Sequence, residues 1–205
     1  IYQSFGLPPE IIQELKHFDA EEFNKSKAEH LRVSSIGAEK KFGGHGLILD
    51  TGELKASNEE ELKKVMRLHT ATHLLNAALH KVLGDQVSQR GSDISAERTR
   101  FDFVFDRKMT SEEIKKVEDL VNEAIAKDYP VEIKTIPLEE AKKSGAFFFY
   151  KGNYPEQVKV YSIDFFSREL CGGPHVSHTG EIGRFKIVKE EASSAGVRRI
   201  RAIVE

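Results

Sequence analysis

The sequence predicts an α+β fold, a two-layer α/β sandwich with long helices packed on a mainly antiparallel sheet. Three observations point there. Two long stretches, Glu59 to Leu83 and Ser111 to Lys127, carry apolar residues at helical spacing. About six shorter stretches run apolar or alternate between Gly, Pro and Asp punctuation. The two kinds of stretch do not alternate regularly, as βαβ units would require.

Taken in order, residues 1–20 hold a Gly6-Leu7-Pro8-Pro9 break and a short helical pattern, and residues 21–42 read as a charged, solvated helix or linker. Phe42-Gly43-Gly44-His45-Gly46 is a turn before the short strand Leu47-Ile48-Leu49, which Asp50-Thr51-Gly52 closes. Ser57 and Glu60 form a capping box for the helix Glu59 to Leu83, and Gly84 stops it. Strands follow at Asp85 to Gln89 and Glu97 to Phe105. The second alternates Thr99, Phe101, Phe103 and Phe105 against Arg98, Arg100 and Asp102. Thr110 and Glu113 cap the second helix, whose Ile114, Val117, Leu120, Val121, Ala124 and Ile125 form one apolar stripe.

Val131 to Ile136 is the next strand, Pro137 opens a short helix through Lys143, and Gly145 closes it. Strands at Ala146 to Tyr150 and Val158 to Ile163 flank a Gly152-Asn153-Tyr154-Pro155 turn. Cys171 lies in a loop before strands at Arg184 to Val188 and Val197 to Val204. The expected division is a remnant or linker at 1–56 and a metal-binding domain at 57–205.

Composition narrows the function. With 31% charged and 39% hydrophobic residues, the 205-residue chain suits a globular protein with a sizeable core. It has no apolar run of membrane-spanning length and no signal-peptide pattern. A lone cysteine excludes an internal disulfide and fits the reducing cytoplasm. A net charge of −2 leaves nucleic-acid contact to local basic patches. The first residue, Ile1, suggests an excised piece of a longer protein.

The chemistry concentrates on the first long helix. His69 and His73, four apart, stand on one face where both imidazoles reach one ion. Asn76 falls near that face, and the remaining directions are mostly apolar, so the helix is buried and its polar stripe faces a cavity or is satisfied internally. Far along the chain, Cys171-Gly172-Gly173-Pro174-His175 adds a thiolate and a third imidazole. His-x3-His plus Cys-x3-His is a full ligand set for one zinc ion. Four protein ligands close a structural site, whereas a catalytic zinc keeps a position open, and the spacing leaves both arrangements open. Thr70 stands where a zinc protease would need Glu, which argues against that class. His80 is ~16 Å of rise from His69, too far to share the ion, and reads as solvated. His45 and His178 read as surface residues, and Phe147, Phe148 and Phe149 as core. Two basic groups follow the ligand segments: Arg90, Arg98 and Arg100, with Gln89, and then Arg184, Lys186, Arg198, Arg199 and Arg201. They are candidate phosphate contacts for RNA flanking one cleft.

These motifs resemble one family. His69-Thr70-Ala71-Thr72-His73-Leu74-Leu75 is similar to the metal helix of the editing domain of alanyl-tRNA synthetases. So are Val87-Ser88-Gln89 through Arg100-Phe101-Asp102-Phe103, Cys171-Gly172-Gly173-Pro174-His175-Val176, Thr179-Gly180-Glu181-Ile182-Gly183 and Ala195-Gly196-Val197-Arg198-Arg199-Ile200. Ile1-Tyr2-Gln3-Ser4-Phe5-Gly6-Leu7-Pro8 resembles the end of the catalytic half of the same synthetases. Threonyl-tRNA synthetases share a related domain with a similar histidine pair and cysteine loop.

The resemblance implies hydrolysis of the ester of tRNA(Ala) mischarged with serine or glycine. Zinc would sit on His69, His73, Cys171 and His175, Thr70 would read the serine hydroxyl, and Gln89 would line the pocket. Backbone N–H groups of Gly172 and Gly173 would approach the carbonyl oxygen. Partners would be the acceptor end of tRNA(Ala) and the rest of the synthetase, with no membrane and no ATP needed for this step. Alternatives are a zinc-stabilised tRNA-binding module without deacylase activity, and a threonyl-type editing domain. Two departures stand out. His45 occupies a position where the family has Gln, in a segment too short for the family's β-barrel. No class II aminoacylation core is present, so any ATP binding belongs to the parent protein.

Overall fold

In the computed structural model the described residues are 48–49, 52–53, 56–148 and 154–205. Sequence expectations for 1–47, and for Phe149 to Asn153, lie outside them. β1 (Ile48–Leu49) and β2 (Gly52–Glu53) pair antiparallel, Leu49 opposite Gly52; the expectations for Asp50 and Thr51 lie outside the described residues.

α1 (Glu59–Leu83) has the expected span. Its N-cap is Asn58, however, not Ser57: the Asn58 side chain accepts from the Glu61 N–H, and Glu61 reaches back to the Ser57 N–H. Asn and Ser cap equally well, so the residue sequence left the frame ambiguous by one. Gly84 stops the helix with φ 90°, a region that favours glycine.

β3 (Gln89–Ile94) begins where the sequence places a strand's end. Val87 is instead a buried plug in the connection. Pairing starts only where β4 (Thr99–Val104) supplies a partner, at Gln89 opposite Phe103. α2 (Ser111–Ala126) carries the Thr110/Glu113 capping box as expected and buries Val117, Val121, Ala124 and Ile125. β5 (Val131–Pro137) leads into α3 (Leu138–Lys143), then β6 (Gln157–Ile163) and β7 (Ser167–Leu170). A 3-10 turn (Thr179–Ile182) precedes β8 (Phe185–Ser194) and β9 (Val197–Val204).

Beyond the β1-β2 pair, the strands form two antiparallel sheets, β3-β4-β9-β8 and β5-β6-β7, so the α+β class holds with its strands divided. The four-stranded sheet shares the main core with α1 and α2, through Phe101, Phe103, Phe185, Ile200, Leu75, Leu79 and Val121 among others. The three-stranded sheet and α3 enclose a smaller cluster of Ala141, Ala146, Val158, Val160 and Leu170. Among the described residues, no helix is long and apolar enough to cross a membrane.

Two further strand expectations need correction, and one strand was not expected. Residues 146–148 make only a parallel bridge, Phe147 to Glu169, beside β7. β7 itself carries no apolar pattern that would have announced it; it follows a tight turn at Asp164, whose φ is 44°. β8 runs on to Ser194 through two register shifts, because its polar half is held by pairing to β9 and not by a buried face.

Candidate metal centre

α1 projects His69 and His73, and the loop after β7 brings Cys171 and His175 to them. The four ligand atoms lie within 4.8 Å of one another, the one such group of His, Cys, Asp and Glu among the described residues. The loop is anchored at both ends. The Cys171 N–H donates to Lys159 O, and the Val131 N–H donates to Ser177 O. Thr179 Oγ1 donates to Ala124 O and accepts the Tyr129 N–H. α1 is fixed by Arg67, which donates to Ile182 O at 2.8 Å and Glu205 O at 2.9 Å, and by Thr72, 2.7 Å from Thr99 Oγ1 on β4.

Hydrogen bonds assign two of the three imidazole tautomers, those of His69 and His175. His69 Nδ1 is 3.0 Å from Pro174 O, which only accepts, so Nδ1 carries the proton. Thr70 Oγ1 donates its one proton to Met66 O, so His175 Nδ1, 3.1 Å away, donates to Thr70. His73 Nδ1 faces Glu169 Oε2 at 3.6 Å. All three rings therefore turn Nε2 to the cluster. His69 Nε2 is 3.2 Å from Cys171 Sγ, and His175 Nε2 is buried with no partner.

The residues fit a metal ion. An orphaned buried imidazole nitrogen costs free energy unless something fills its lone pair. Each ring is oriented from behind by an oxygen, the arrangement that holds histidine ligands in metal sites. The Gly173 N–H points at Cys171 Sγ at 3.5 Å, and a Cβ on Gly173 would collide with the His69 ring, so glycine is required there. Burial lowers the pKa of His69, His73 and His175, keeping the rings neutral as ligands must be.

Glu169 is the residue that motif reasoning missed. It is 8% exposed, accepts from Asn76 Nδ2 at 2.9 Å, and burial pushes its carboxyl up to about 8. Its signal was slight: an acidic residue two before Cys171, on a strand that could not be read. Asn76, placed near the histidine face by periodicity, is the side chain that holds it.

The other expected residues are distributed unevenly. Thr70 is fully buried with its hydroxyl engaged by Met66 O, the Val176 N–H and His175. Gln89 is half-buried at the start of β3, and Gly172 is exposed beside Cys171. Arg199 clamps Asp102 through two bonds of 2.7 and 2.8 Å, and Arg100 lies 3.8 Å from the same carboxylate. Arg98 pairs with Asp93, Arg201 with Glu191, and Arg198 with the deeply buried Glu190. Arg90, Arg184 and Lys186 are exposed. His80 is not solvated: it stacks on Phe147 at 4.4 Å and is half-buried, because residue 147 lies beside β7 and reaches over the helix. Phe148 is exposed, not core. His178 is at the surface as expected.

A family model described as the threonyl and alanyl tRNA synthetase second additional domain matches residues 158–201, which hold Cys171 and His175. The alanine–tRNA ligase of Treponema denticola is 48% identical over 210 residues, taking in 100% of this chain and 33% of its own length. That of Borreliella afzelii is 46% identical over 209 residues, with the same coverage. That of Petrotoga mobilis is 50% identical over 146 residues, 71% of this chain and 17% of its own. The chain spans about a third of the length of the first two relatives.

Proposed function

The chain belongs to the alanine–tRNA ligase family, and from that premise we propose that it is the editing deacylase region, hydrolysing the ester that links serine or glycine to tRNA(Ala). The observation that carries this reading is the tetrad His69, His73, Cys171 and His175, with His73 buried and the other three half-buried, its three imidazoles turned inward by Pro174 O, Glu169 and Thr70. These four would hold one zinc ion. When bound, zinc supplies Lewis-acid polarisation for an ester carbonyl or an attacking water.

The chain's own residues set up the rest. Glu169, steadied by Asn76, orients His73, and Pro174 O orients His69. Thr70 acts on the site through His175: with its proton committed to Met66 O and its lone pairs met by Val176 and His175, it selects the tautomer. Any reading of a serine hydroxyl by Thr70 requires His175 to yield that contact. The Gly173 N–H is engaged with the sulfur, which leaves the exposed Gly172 as the backbone donor for a carbonyl oxygen. We assign Gln89 to the pocket wall and Arg90 to a phosphate of the acceptor end. Arg98, Arg100 and Arg199 contribute charge from within their ion pairs, and Arg198 serves mainly to neutralise Glu190. We place the activity in the cytoplasm, where a lone thiol stays reduced.

A second reading is a zinc-stabilised tRNA-binding module. It is favoured by one observation: all four ligands converge, which would close the coordination sphere. Incubation of the purified chain with seryl-tRNA(Ala) decides. Serine release above the enzyme-free rate is expected. Retained tRNA binding without release would establish the module instead, and preference for tRNA(Thr) a threonyl-type domain. Metal analysis is expected to find about one zinc per chain, lost in Cys171→Ala with His73→Ala; full zinc in that double variant would refute the ligand set.

A further inference from the structure

A row of four side chains crosses the three-stranded sheet beneath the metal cluster. Ile133 on β5 lies opposite Tyr161 on β6, Tyr161 opposite Glu169 on β7, and Phe147 bridges to Glu169 from the other side. Directly opposed residues project from the same face of a sheet. Three of the four meet histidines. Phe147 stacks on His80, Glu169 faces His73, and the Tyr161 ring lies 4.1 Å from the His175 ring.

Exposure along the row is lopsided. Glu169 is 8% exposed and Tyr161 9%, whereas Ile133 is 49% exposed. At the Phe147 end the row is roofed by α1, whose His73, Asn76 and Ala77 are buried. The row is therefore shut at the helix end and open at β5, where an apolar side chain stands half in water next to the aromatic that supports His175. The neighbouring residues Glu132 and Lys134 project from the opposite face and pair with each other at 3.6 Å, so they leave Ile133 as an apolar step.

We infer that substrate reaches the metal cluster over Ile133, and that the terminal nucleoside of the acceptor strand packs against this side chain while its aminoacyl group extends past Tyr161 toward His175. A nucleoside has a flat apolar face to offer such a step, and packing there carries no sequence requirement. The inference rests on the deacylase reading for its choice of ligand, and its test is separable from that reading.

The probe is 3′-(L-serylamino)-3′-deoxyadenosine, whose amide resists hydrolysis, added to the zinc-loaded chain with isoleucine δ1 methyl groups labelled for NMR. The Ile133 methyl is expected to shift while that of the core residue Ile200 stays. Ile133→Ser is expected to weaken binding about tenfold, the effect of losing one apolar contact, with zinc content unchanged, and Phe147→Ala to leave affinity unchanged. A probe that binds without moving the Ile133 methyl, or equally well in Ile133→Ser, overturns the inference, as does a probe that does not bind. Serine release from seryl-tRNA(Ala) is scored separately. Release with an unmoved Ile133 removes this entrance and keeps the deacylase; a moved Ile133 without release does the reverse.

Discussion

The two sheets divide the work of the molecule. The four-stranded sheet buries large side chains against two capped helices, with Phe101, Phe103 and Phe185 all 0–1% exposed. Its charged residues are mostly paired with one another, Arg199 on Asp102 and Arg198 on Glu190. The three-stranded sheet has a core of alanines, valines and one leucine, and spends its inward face on Glu169 and Tyr161. Burying a carboxyl group is costly unless it is hydrogen-bonded, so a sheet that does this draws its stability from elsewhere. The comparison suggests a scaffold half and a site half, joined through α1.

The largest effect should come from the scaffold. Phe103→Ala is expected to cost about 3–5 kcal/mol in urea unfolding, against about 2 kcal/mol for Val160→Ala in the smaller sheet. Equal losses would mean that the sheets share the load and that the division is false.

The next effect belongs to the site half. Glu169→Ala removes the carboxyl group behind His73 and is expected to weaken zinc about 10–100-fold in a chelator competition. An unchanged affinity would show that the helix alone orients His73.

The smallest effect tests the scaffold's edge. The Arg107 side chain, with the Thr110 N–H, holds the Glu113 carboxyl down to about 2. A depressed folded-state pKa stabilises fully above the ordinary carboxylate value near ~4.3 and is lost as pH falls to about 2. Glu113→Gln should therefore cost about 0.5–1 kcal/mol at pH 7, the size of one helix cap, and converge with the parent near pH 2. A difference that persists at pH 2 would assign the loss to something other than charge. Zinc content should not change.

How far each half can be read from sequence follows the same division. α1, α2, β4 and β9 are legible because a buried stripe or alternation repeats over many residues, and Thr110 with Glu113 marks a helix start that geometry obeys. β7 is short, begins after a turn at Asp164, and puts Ser167 and Glu169 on a polar face that faces the metal-ligand candidates. The rule that buried faces are apolar fails where a buried face carries the polar groups behind a cluster of candidate ligands.

By itself the sequence determined the α+β class, both long helices and the four metal-ligand candidates, because helical spacing and a Cys-x3-His loop are local facts. Only the tertiary structure decided what surrounds those ligands. It set Glu169 and Asn76 behind His73, committed the Thr70 hydroxyl to His175, paired the arginines with acids, and left Ile133 as the open end of a row. Those are contacts between residues far apart in the chain, made by strand register and by the packing of α1 on two sheets, and no local pattern encodes them.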